Sequence, residues 1–127
     1  MPAKPFHAEV IGGPTGSGAA TIALSGDINV LAEAQLGAAY AAAAARNARV
    51  LTLDFGATDY INSTGIALIV RLLADARRDR REVHATGLSD HYVEIFRITR
   101  LSDYMVIEEA ADAAAAGRLV PEAGGSR

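Results

Sequence analysis

Hydrophobic and polar positions along the chain switch between a period of two and a period near 3.6, and the switches mark out the elements. His7 to Ile11 and Ala20 to Leu24 are short β-like runs, the second with rough alternation. Between them lies Gly12-Gly13-Pro14-Thr15-Gly16-Ser17-Gly18, and two such runs around a Gly-rich connection predict a hairpin. After Ser25 to Asn29 the composition changes to a segment dense in Ala, Leu and Glu, which predicts a helix over Val30 to Arg46. Asn29 is its expected N-cap, Glu33 lies where the helix dipole favours a carboxylate, and Asn47 stops it.

Arg49 to Phe55 is the clearest strand, with Val50, Leu51, Leu53 and Phe55 forming the nearly continuous apolar run of a strand covered on more than one side. Gly56 to Asn62 reads as a loop carrying Tyr60 and Ile61. A second helix is expected from about Thr64 to Asp79, because Ile66, Ile69, Val70, Leu73 and Ala76 recur at spacings of three and four. Glu82 to Thr86 is a short strand and Gly87 to Asp90 a turn. Tyr92 to Leu101 is a third helix anchored by Val93, Phe96 and Ile98. Tyr104 to Ile107 is a last strand, and Glu108 to Ala116 a final Ala-rich helix ended by Gly117. The order β-β-α-β-α-β-α-β-α predicts an α/β fold: one mixed β-sheet with helices packed on it. Residues 1–117 are expected to form a single domain and 118–127 a flexible C-terminal tail.

Composition narrows the chemistry. Alanine supplies 27 of the 127 residues, so the 50% hydrophobic fraction overstates the core, which must rest on Ile, Val, Leu and a few Phe. With no cysteine, disulfides, thiolate metal sites and cysteine nucleophiles are excluded. A net charge of −3 gives no electrostatic reason to hold a polyanion, so nucleic acid is not an expected partner. The N-terminus has no apolar run of signal-peptide length and no run in the chain reaches membrane-span length, so the expectation is a soluble, cytoplasmic protein without membrane insertion.

Three features invite functional readings that their chemistry does not support. The Gly12–Gly18 loop lacks the Gly-Lys-Ser/Thr of a phosphate-binding loop, since Ala19 and Ala20 come after Gly18. His7, His84 and His91 fall in different elements with no ligand-pair spacing, so no metal and no cofactor is expected. Arg77, Arg78, Arg80 and Arg81 end a helix, where the dipole and the last carbonyls favour positive charge; docking of an acidic partner is the lesser reading.

The informative segment is Asp59-Tyr60-Ile61-Asn62-Ser63-Thr64-Gly65-Ile66-Ala67-Leu68-Ile69. Asn, Ser and Thr before an amphipathic helix are capping residues. Two consecutive hydroxyls also stand at a helix N-terminus, a place that accommodates a phosphate dianion. Gly65 inside the first turn costs about 1 kcal/mol against Ala, which implies that something approaches the backbone closely there.

Leu53-Asp54-Phe55-Gly56 with Tyr60-Ile61-Asn62-Ser63-Thr64-Gly65-Ile66-Ala67-Leu68 after it resembles the central motif of STAS domains, the fold of bacterial anti-sigma factor antagonists. Leu24-Ser25-Gly26-Asp27-Ile28, Ile98-Thr99-Arg100-Leu101 and Ile107-Glu108-Glu109-Ala110 are similar to further pieces of that family, so the resemblance spans nearly the whole chain. It implies Ser63 as phosphoacceptor and Thr64 as a minor or compensating site. Asn62, Ser63, Thr64 and Gly65, with Gly26, Asp27 and Asn29, would form the partner-binding surface. The implied partner is a serine kinase that doubles as an anti-sigma factor; its phosphorylation of the antagonist breaks the complex, and a phosphatase resets it. Asn62 and Asn29 stand where the family usually has Asp, which keeps shape and capping but removes charge; Arg100 replaces a frequent Gly. The alternative reading is a STAS accessory subunit of a transport system that docks on an ATPase without phosphorylation. No constellation of base, nucleophile and electrophile points to an enzyme.

Overall fold

In the computed structural model, which describes residues 4–12 and 17–108, five strands hydrogen-bond in chain order into one sheet. They are β1 (His7–Gly12), β2 (Ala19–Ile28), β3 (Val50–Ile61), β4 (Glu82–Thr86) and β5 (Val106–Glu108). β1 runs antiparallel to β2, which gives the expected hairpin, and β2 to β5 are mutually parallel. Between the parallel strands lie α1 (Glu33–Ala45), α2 (Ser63–Arg78) and α3 (Asp90–Ile98). Each crossover steps the sheet in the same direction, so the right-handed rule brings all three helices to one face. Burial agrees with this. Ile22 and Leu24, Leu51, Leu53 and Phe55, and Val83 and Ala85 are buried, whereas the alternate positions Thr21, Thr52, Asp54, His84 and Thr86 are only half-buried. The apolar run of β3 is therefore buried by alternate residues on one packed face.

Several element boundaries differ from the sequence reading, each for a local reason. β2 continues past Leu24 to Ile28, with Gly26 and Ile28 keeping the buried phase; a glycine reads as a break but here sits inside the strand. β3 runs on through the expected loop to Ile61. Beyond Asp54 it has lost β4 as a neighbour and pairs only with β2, through two register shifts that destroy the alternation. A 3₁₀ turn at Val30–Ala32 precedes α1, so the α-helix proper starts at Glu33. On α2 the buried positions include Leu72, while Val70 is 44% exposed. α3 starts at Asp90 because Ser89 caps it, its hydroxyl accepting from the Tyr92 amide at 3.3 Å. It ends before Arg100, which takes the left-handed conformation at φ 68°, one that glycine adopts without strain. Ile98 is 70% exposed and anchors nothing; Leu101, in the next 3₁₀ turn, is buried in its place. The last strand begins at Val106 rather than Tyr104, and Glu108 is its final residue. The rest of the expected fourth helix and the 118–127 tail lie outside the described residues.

Folding gives His84 two carboxylates that spacing did not reveal. Its Nδ1 lies 2.9 Å from Glu108 on β5, and its Nε2 contacts Glu82, two residues back on β4. The Glu82 hydrogen bond, helped by that of Glu108, raises the imidazole above its ordinary 6.5 against the opposing effect of burial. A pKa raised by folding adds stability that is complete below the unfolded value and is lost as pH rises through the folded one. The melting temperature should therefore decline from pH 6 toward pH 9, and His84→Gln should flatten that decline. Equal slopes for both proteins would remove His84 as its source.

Candidate functional site

β2 and β3 end side by side, with Ile28 and Ile61 in register. Each strand then leaves the sheet through an asparagine that caps the next helical turn. The Asn29 Oδ1 accepts from the Leu31 amide at 2.9 Å, and the Asn62 Oδ1 accepts from the Gly65 amide at 2.8 Å. Asn62 is held in place because its own amide donates to the Ile28 carbonyl at 3.2 Å. α3 secures the same strand end, where the Ile61 amide donates to the Tyr92 hydroxyl at 2.8 Å. The pole is thus the carboxyl edge of two parallel strands, where open α/β sheets place their sites.

Capping by Asn62 changes the role of the next two residues. Ser63 is not the cap; it is the first residue of α2. Ser63 and Thr64 are both exposed, and neither hydroxyl has a hydrogen-bond partner among the described residues. Their backbone amides belong to the first turn, which has no intrahelical acceptor to offer. The Asn62 side chain makes this cap without placing a formal charge at residue 62.

Gly65 explains itself in the tertiary structure. A Cβ there would lie 2.1 Å from the Ile28 carbonyl oxygen and 2.8 Å from its carbon. The close approach that the sequence implied comes from the end of β2, and it lets α2 start directly against the sheet.

The remaining residues of the expected surface are placed differently. Asn29 comes directly after Ile28 and Asn62 directly after Ile61, the last paired residues of the two strands. Gly26 is buried at φ 82°, with the Pro5 carbonyl 2.0 Å from where a Cβ would be. Asp27 is half-buried and tied to the N-terminal segment: its Oδ2 accepts from the Lys4 amide and its own amide donates to the Lys4 carbonyl, both at 3.1 Å. The Lys4 ammonium in turn meets Asp59 at 3.2 Å. Gly26 and Asp27 thus hold residues 4–6 against the strand ends.

Three apolar side chains at this pole went unnoticed in the sequence. Val30 is 59% exposed, Leu31 80% and Tyr60 58%. Their signal was adjacency to the two asparagines, Val30 and Leu31 directly after one and Tyr60 two residues before the other. It was masked because Val30 and Leu31 read as helix interior and Tyr60 as loop.

This arrangement of elements is shared with known proteins. The family model described as "Mlab, STAS domain" matches residues 14–108. The chain belongs to the STAS domain family. Among its relatives, BtrV of Bordetella bronchiseptica, which carries the name of an anti-sigma factor antagonist, is 30% identical over 93 residues, covering 73% of this chain and 80% of that protein. An anti-sigma-B factor antagonist of Listeria monocytogenes is 36% identical over 59 residues, 46% of this chain and 52% of that one. An anti-sigma factor antagonist from Mycobacterium paratuberculosis has the same STAS fold, with a TM-score of 0.66 at 17% identity over 91% of this chain and 96% of that chain. The Bacillus protein SpoIIAA in its phosphorylated form superposes with a TM-score of 0.60 at 17% identity, over 90% of this chain and all of the other. Among the described residues of this STAS domain no helix is long and apolar enough to cross a membrane.

Proposed function

We propose that this STAS domain is a regulatory interaction module, an anti-sigma factor antagonist that binds a kinase-type anti-sigma factor and is released by phosphorylation of Ser63. The observation that carries the reading is the exposed, unbonded Ser63 hydroxyl at the tip of α2, with Asn62 and not Ser63 serving as cap. A capping hydroxyl is occupied; this one is free to be phosphorylated without loss of the cap. The dianion then meets the unpaired first-turn amides and the positive end of the helix dipole, so the fold tolerates it. Val30, Leu31 and Tyr60 offer exposed apolar area at the same strand ends, and a charge of about −2 added at this pole opposes a close interface there. The names of the sequence relatives support the antagonist role, and the partner supplies nucleotide and base, so this chain needs no catalytic site of its own.

Three variants test it. Ser63→Asp should melt close to wild type yet bind the cognate kinase-type partner more weakly by about 1–3 kcal/mol, the cost of a mismatched polar group in an interface. Ser63→Ala should bind normally and take up no phosphate. Wild-type affinity in Ser63→Asp would exclude phosphorylation of Ser63 as the release step. The second reading, an accessory subunit docking the same pole on a transport ATPase, draws on Asn62, which removes the carboxylate the family usually places beside the phosphoacceptor. It prevails if an active partner phosphorylates neither wild type nor Asn62→Asp.

A further inference from the structure

At the pole opposite Ser63, β3 and β4 begin and α1 and α2 end; the 16 residues of α2 put about 24 Å between the two ends. Arg46, Arg49, Arg77, Arg78, Arg80 and Arg81 gather there, although the whole chain has a net charge of −3. Helix termini account for some of them. Arg78 meets Asp75 at 3.2 Å and Asp79 at 3.3 Å, and Arg77 lies over the Tyr104 ring, 5.4 Å from its centroid. The other side of the pole is different. Arg49, Arg80 and Arg81 line one cavity of about 320 Å³ with Asn47 and Asp79.

Arg49 and Arg80 form no ion pair among the described residues. The Arg81 guanidinium donates through Nη1 to the Ala48 carbonyl, but its Nε is buried with no partner. The one carboxylate in the cavity is already engaged. Asp79 accepts from the Tyr40 hydroxyl through Oδ2 at 2.7 Å and from the Arg78 Nε through Oδ1 at 3.3 Å. Arg80 comes after α2 in the left-handed conformation, φ 60°, where glycine is the unstrained residue. Asn47 after α1 and Arg100 after α3 take the same conformation, and Arg100 pairs with Asp103 at 2.8 Å, whereas Arg80 forms no ion pair among the described residues.

We propose that this cavity binds a phosphate-class oxyanion, gripped by Arg49, Arg80 and Arg81 with the Asn47 amide. Planar guanidinium forks match phosphate oxygens in pairs, and Arg49 and Arg80 offer theirs with no carboxylate among the described residues competing for them, while Arg81, held by the Ala48 carbonyl and 6.0 Å from the Tyr40 ring centroid, adds fixed positive charge. The site stands apart from Ser63 and does not depend on the antagonist reading.

Titration of the whole chain with inorganic pyrophosphate, monitored by calorimetry at low ionic strength, tests it. Saturable one-to-one binding is expected, weakened at least about tenfold by Arg49→Ala and by Arg80→Gly, each of which removes charge-assisted donors. Arg80→Gly should also melt higher than wild type, because it relieves the left-handed residue, so its loss of binding cannot be ascribed to misfolding. Arg71→Ala removes the same charge from the middle of α2, where Arg71 pairs with Glu33 at 3.2 Å, and should bind as wild type. Ser63→Asp should also bind pyrophosphate normally. The absence of saturable binding, or equal weakening in all three arginine variants, overturns the proposal. Sedimentation with phosphatidylglycerol vesicles, competed by pyrophosphate and lost in the same two variants, would locate the oxyanion on a lipid headgroup. Pyrophosphate binding without sedimentation would locate it on a small molecule.

Discussion

Phe96→Ala should cost this domain about 3–5 kcal/mol, the range for deleting a fully buried aromatic ring. Phe96 is 0% exposed, and its ring meets Phe55 edge to face, with centroids 5.9 Å apart and an interplanar angle of 88°. α3 has only nine residues and buries only Val93 besides Phe96, so little else holds it to the sheet once the ring is gone. The effect should also reach the helix tip. Tyr92, on the same helix, accepts the Ile61 amide beside Asn62, and a loosened α3 frees that strand end. Urea unfolding of wild type, Phe96→Leu and Phe96→Ala should give a graded loss with Leu intermediate. A loss below about 1 kcal/mol for Ala would mean that α3 is held by contacts other than this ring.

Gly65→Ala should destabilise by about 2–3 kcal/mol, although helix propensity alone predicts a gain of about 1 kcal/mol at an interior helical position. The signs are opposite because the added methyl meets the Ile28 carbonyl at 2.1 Å, a backbone atom of the neighbouring strand that no rotamer change can move. Relief requires the first turn of α2 to lift from β2, which breaks the bond from the Asn62 amide to that same carbonyl. Amide exchange at residues 62 to 66 should accelerate accordingly. A variant as stable as wild type, or more so, would show that the close approach of α2 to β2 can relax without cost.

Much of this was open to reading in one dimension. The hairpin, the alternation of strands and helices, and the core positions Leu53 and Ile69, both 1% exposed, arise from periods of two and 3.6 that any buried face imposes on its own element. The run from Asn62 to Gly65 showed a helix start because capping chemistry is local: the acceptor and the amide it serves are three residues apart.

Tertiary structure decided what depends on a neighbour distant in sequence. β3 runs five residues past Gly56 because β2 is there to pair with it. Ile98 and Val70 are exposed although their spacing matches the buried positions of their helices. Which of three adjacent polar residues caps α2 was settled by the Ile28 carbonyl, which orients Asn62 and leaves Ser63 free. The carboxylates on His84 come from another strand and from the same strand face. Residue identity and near-neighbour spacing determined the elements, whereas side-chain partners, exposure and the grouping of Arg49 with Arg80 and Arg81 arose only when distant strands and helix ends were brought to one edge of the sheet.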